Sequence, residues 1–92
     1  LGAVAGIPQM AVERLRLAPD SPLVGKTLAA TGLRTQTGAL VLAVGRGTDE
    51  IGTPGPHFRL AADDVLVVVG QPPQLRAAAR LVAGERASPA AP

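Results

Sequence analysis

Ninety-two residues make a single domain, and a chain this short buries a limited share of its surface, so its stability is marginal. It contains no cysteine, which excludes a disulfide staple. Its net charge of +2 comes without a basic run or aromatic residues among the arginines, so the electrostatic footprint of a nucleic-acid binder is absent. Hydrophobic residues make up 47% of the chain, and nearly all of them are alanine, valine and leucine. Phe58 is the only aromatic residue. A core without other rings packs many small aliphatic groups, each buried methylene worth about 0.8 kcal/mol. Such a domain gains by covering a further face with a partner, so the composition points to an oligomer. The longest apolar runs, 39–45 and 65–70, are too short to cross a bilayer, and no secretory signal is visible. Leu1 is not an initiator methionine, which reads as a fragment of a longer protein.

Residues 1–9 carry Gly2, Gly6 and Pro8 and read as a linker into a folded unit spanning 10–84. The first strand is expected over 12–17, where Leu15 and Leu17 alternate with Arg14 and Arg16 at the period of a half-solvated strand. The turn residues of 18–22 stop it. A short helix is expected over 26–31 with Gly32 closing it, and Leu23, Leu28 and Leu33 anchor this region to a sheet. Thr37-Gly38 turns the chain into a second strand, 40–46, whose unbroken apolar character suggests burial on both faces. The stretch 47–56 is loop-like in composition, with a short strand or hairpin around Ile51, and 57–60 reads as another brief strand. Residues 61–64 form a tight turn. Then comes the clearest strand of the chain, Val65 to Val69, valine throughout but for Leu66, ended by Gly70. Pro72-Pro73 opens a final helix whose Leu75, Ala78, Ala79 and Val82 make one stripe, with Gly84 as its stop. Residues 85–92 read as a flexible tail.

Catalytic chemistry finds little support. His57 is the single histidine, and no serine is placed beside it. Asp63 and Asp64 precede a strand, where neighbouring side chains diverge; the expected role is an aspartate capping turn amides. Gly25-Lys26-Thr27 lacks the leading glycine of a phosphate loop, since Asp20 stands there. Arg34 and Arg46 remain as arginines near apolar surface, and a guanidinium fork suits a phosphate through paired, charge-assisted bonds.

Two phrases carry a resemblance. VERLRLAPDSPLVGKTLAATGLRTQTGALVLAVGRG and, after a glycine- and proline-rich loop, FRLAADDVLVVVGQPPQLRAAARLV together resemble the TrkA-C, or RCK C-terminal, domain. The family shows a strand, S-P-L-x-G-K-T-L, a small helix ending in G-L, a strand ending in arginine, then G-D-x-L-x-V-x-G and a last helix. This chain departs at Asp63, where the family prefers glycine. The resemblance covers about residues 11–84. It implies an α+β fold, a small β-α-β-β-β-α unit whose sheet carries two helices, assembled as a homodimer. It also implies a non-enzymatic regulatory domain in the cytoplasm, associated with the inner face of the membrane through a potassium transporter, a channel or a cation/proton antiporter. In one branch of the family cyclic di-AMP binds between two protomers. Its contacts come from the end of the first helix, the loop after it and the start of the second strand. Carried over, these give Leu28, Leu33, Arg34, Thr35, Leu40 and Val41, with Pro54 and Arg46 joining them as ligand-binding residues. Gly32 stands where that branch has an aspartate, and Leu40 where it has an asparagine. The partners so implied are a second copy, a membrane-embedded cation transporter and a small nucleotide, with no nucleic acid. The alternative is a purely structural dimerisation domain without a ligand.

Overall fold

Strand propensity is highest in the valine run, and that run lies inside the sheet. In the computed structural model, which describes residues 9–84, β1 (Ala11–Arg16), β2 (Leu40–Arg46), β3 (Asp49–Gly52) and β4 (Val65–Gly70) form one antiparallel sheet in the order β1-β4-β2-β3. The linker and tail expected over 1–9 and 85–92 fall outside the described residues, Gln9 excepted. β4 pairs with β1 from Ala11↔Gly70 to Arg16↔Val65, and with β2 from Leu40↔Val69 to Gly45↔Val65. The ladder to β2 shifts between Val41 and Ala43, a bulge that sets Leu42 apart. β2 and β3 form a hairpin through Gly47, whose φ of 62° lies in the left-handed region that glycine enters without cost.

Alternation along β4 divides the sheet into two faces. Leu66 and Val68 point into the core, while Val65, Val67 and Val69 are only half-buried on the other side. The core face is covered by α3 (Pro72–Ala83), which packs on β1 and β4 with Leu75, Ala78 and Val82 buried. The period of the sequence stripe is the one observed. Leu17, Leu23, Leu33, Ala39, Val44 and Leu60 complete the core. Ser21 is buried with them; its hydroxyl donates to the Val82 carbonyl at 2.6 Å and ties the first turn to the end of α3.

Three expectations are corrected. The helix expected over 26–31 is α1 (Leu28–Thr31), and a second helix, α2 (Leu33–Thr37), follows at once. Gly32, at φ 70°, caps α1 and starts α2, so one glycine both stops a helix and bends the chain into the next. β2 is not buried on both faces: Leu40 and Leu42 are exposed, because α3 and the short helices cover one side of the sheet only. The strand expected over 57–60 is reduced to one bridge, Thr27↔Arg59, since the Phe58 amide turns back onto the Gly55 carbonyl and only Leu60 donates across, to Lys26.

Candidate functional site

The start of β2 and the two short helices make a corner, and the loop after β3 closes it. Thr27 caps α1 by accepting from the Ala30 amide at 3.2 Å. Thr31 donates to the Leu28 carbonyl at 2.6 Å and accepts from the Leu33 amide at 3.2 Å, which fixes the angle between α1 and α2. Thr37 accepts from the Ala39 amide at 3.0 Å and leads α2 into β2. The loop after β3 is stitched to α1: the Ala29 amide donates to the Pro56 carbonyl at 3.0 Å and the Leu28 amide to the Phe58 carbonyl at 2.9 Å.

These elements enclose a cavity of about 260 Å³ lined by Leu28, Ala29, Leu33, Arg34, Ala39, Leu40, Val41, Pro54, Gly55 and Pro56. Arg34 is its one charged lining residue. The described residues hold three ion pairs, Arg14–Glu50, Arg16–Asp63 and Arg46–Asp64, and Arg34 belongs to none of them. An exposed guanidinium at the rim of an aliphatic hollow suits a ligand with an apolar body and an anionic group.

Of the eight residues singled out from sequence, Leu28, Leu33, Arg34, Leu40, Val41 and Pro54 are brought together here. Thr35 is not: it is exposed and donates its hydroxyl to the Gly32 carbonyl at 3.2 Å, within α2. Arg46 is not either. Its Nε and Nη2 donate to the two carboxylate oxygens of Asp64 at 2.9 and 2.7 Å, its Nη2 donates to the Arg59 carbonyl at 3.0 Å, and its guanidinium lies 5.0 Å from the centroid of Phe58. Asp64 is 1% exposed and also accepts from the Ala61 amide at 2.8 Å, the turn role expected of it. The Arg46 fork holds the Asp64 carboxyl below its ordinary pKa, against burial, with the Ala61 amide helping; Asp64 in turn raises that of Arg46. Ala29, Ala39, Gly55 and Pro56 were missed by sequence reading. The second proline of 54–56, two positions after the candidate Pro54, was the available signal.

Other chemistry-bearing residues sit apart. Ser21 is engaged by Val82, His57 is exposed, and Asp63 pairs with Arg16, separately from the Arg46–Asp64 pair. Among the described residues no group of three or more His, Cys, Asp or Glu is placed to hold a metal, and no helix is long and apolar enough to cross a membrane.

No curated protein matches the sequence. Solved structures do. The RCK domain of GsuK is 32% identical with a TM-score of 0.70 over 83% of this chain, which spans 17% of the GsuK chain. The RCK-C domain dimer of S. agalactiae BusR, in complex with cyclic di-AMP, has a TM-score of 0.74 at 23% identity, over 82% of this chain and 99% of that one. The RCK C domain of the potassium transport protein KtrA, also with cyclic di-AMP, has a TM-score of 0.71 at 22% identity, over 78% and 82%. BusR is also known in complex with promoter DNA, where the chain covers 42% of the longer protein. The TrkA-C domain model matches residues 12–83, and with the antiparallel sheet, the paired short helices and the covering α3 in the same order, the chain belongs to the TrkA-C domain family.

Proposed function

We propose that this chain is a non-catalytic regulatory domain of a potassium or other cation transport system, acting as a homodimer at the cytoplasmic face of the membrane through its parent protein. Its ligand is cyclic di-AMP, held where two copies of the cavity meet. The observation that carries this reading is the aliphatic cavity with the unpaired Arg34 at its rim. A dimer presents two such arginines about a two-fold axis, and a cyclic dinucleotide has two phosphates related by the same symmetry. Leu28, Leu33, Val41 and Pro54 then contact the adenines by apolar surface alone, because the cavity lining holds no aromatic ring. Thr35 stands near enough in sequence to Arg34 to be retained as a rim residue, while Arg46 is withdrawn from direct contact by its bond to Asp64. Binding that favours one arrangement of the two copies shifts an attached transporter by its differential affinity for the two states. BusR and KtrA, each in complex with cyclic di-AMP, support the choice of ligand. The modest charge and the lack of aromatic residues beside the arginines support a domain that does not itself grip nucleic acid.

Calorimetry with cyclic di-AMP on the wild type and on Arg34→Ala tests the proposal. The wild type binds, and at 100 times Kd its stability rises by about 2.7 kcal/mol. Arg34→Ala keeps its melting temperature and loses most of the affinity. Equal affinity in both proteins would remove Arg34 from the site. One specific observation favours a ligand-free dimerisation domain instead: Leu40 stands on the lining where the ligand-binding branch has an asparagine, so a polar contact to the base is missing. A wild-type melt unmoved by cyclic di-AMP and by other nucleotides would establish that second reading.

A further inference from the structure

Arg46 touches no part of the cavity, yet every contact of its guanidinium lies on the segment that builds one cavity wall. Its guanidinium binds Asp64, the Arg59 carbonyl and the face of Phe58. Residues 54–56, a few positions upstream on the same segment, line the cavity. This stretch has little structure of its own. Its one bridge, at Arg59, is to Thr27, Leu60 exchanges backbone bonds with Lys26 and Gly25, and the Phe58 amide turns back onto the Gly55 carbonyl at 3.1 Å. Phe58 packs against the core, to which Leu60 of the same stretch belongs, and Arg46 covers the Phe58 ring. From there the wall reaches the opposite side through two bonds, Phe58 O to Leu28 N and Pro56 O to Ala29 N, and both donors line the cavity. Asp64 gives the arrangement a fixed base, since its carboxylate is buried and also bound by the Ala61 amide.

We infer that Arg46 is a positioning residue for the ligand cavity: anchored on Asp64, it sets Phe58, and through Phe58 the spacing between the 54–56 wall and the first turn of α1. The inference rests on the ligand reading of the cavity. A lysine at 46 retains the charge but has neither the two-pronged bond nor the flat surface that covers the ring.

The test uses Arg46→Lys and Phe58→Leu, each compared with the wild type by amide hydrogen exchange without ligand and by calorimetry with cyclic di-AMP. Both variants are expected to speed exchange at Leu28 and Ala29, whose amides are donated to the wall, while Val44 and Leu66 in the sheet keep the wild-type rate. Affinity is expected to fall about tenfold in both, the equivalent of roughly 1.4 kcal/mol. Exchange that rises uniformly over the sheet, or not at all, overturns the positioning role and leaves a stability role alone. Local loosening with unchanged affinity overturns it as well, because the wall then does not govern binding. A wild type that does not bind cyclic di-AMP overturns the ligand reading, and the exchange pattern by itself then decides whether Arg46 holds the wall.

Discussion

Asp64 is the most deeply buried carboxylate described, and its surroundings give it a definite dependence on pH. Its pKa is lowered in the folded state, first by the Arg46 fork and then by the Ala61 amide and the arginine charge. The stabilisation is therefore complete above the ordinary carboxylate value near 4 and is lost as the pH falls through the lower, folded value. Asp64→Asn removes the charge and one side of the paired bond. It is expected to cost about 2–3 kcal/mol at neutral pH, with a urea midpoint that declines less in acid than that of the wild type. Curves that run parallel from pH 7 to pH 3 would refute the assignment. The turn role of Asp64 was legible in the sequence because the donor, Ala61, is three positions away. The partner of Arg46 was not, because Asp64 lies 18 positions on and only the sheet brings them together. A sequence shows that an arginine is present and not which carboxylate claims it. Asp63 gives the opposite lesson: where the family prefers glycine, this aspartate adopts φ 69° itself, one of the few side chains that tolerate that region, so the turn survives the departure.

At the scale of elements, β4 and α3 could be read directly, the one from β-branched density and the other from a stripe at helical spacing. β2 was located with its observed bounds, but its environment was misjudged, because an apolar run does not say how many of its faces are covered. α2 escaped because five residues, three of them polar threonine or glutamine side chains following an arginine, are too few for a period to emerge. Its position is set instead by glycines at either end. Gly38, at φ 83°, ends α2, and a Cβ added there would meet the Gln74 amide nitrogen at 2.6 Å. That same amide group's oxygen accepts from the Gln71 backbone at 2.8 Å and caps α3. Gly38→Ala is thus expected to cost about 1–2 kcal/mol, through left-handed backbone strain and a disturbed cap. Gly47→Ala has equal need of positive φ but open space around it, so it is expected to cost less, about 1 kcal/mol. Chemical denaturation of the two variants ranks them, and the reverse order would contradict this account of how α2 is seated against α3.

The whole molecule has helices on one side of its sheet and none on the other, where Val12 at 59% and Leu40 at 44% exposed share a face with Arg14 and Arg16. Composition alone points the same way: a ring-poor core asks for more covered surface than one copy supplies. Leu40 belongs both to that open side and to the cavity lining, so the two features are continuous. Under the proposed function, titration is expected to saturate at one cyclic di-AMP per two chains, with light scattering giving a dimer mass. Saturation at one ligand per chain would contradict a shared site. The cavity's outline was legible from six of its residues, whereas its closure by 54–56 depended on backbone bonds that leave no trace in residue type.

The packing of Arg46 over Phe58 has a practical corollary. Because the chain has no tryptophan or tyrosine, an indole introduced by Phe58→Trp is its sole strong ultraviolet fluorophore, seated between the Arg46 guanidinium and the edge of the hollow. Its emission colour and lifetime therefore report the state of that junction against a silent background, and a stopped-flow trace of the single emitter times the movement of the junction when ligand arrives.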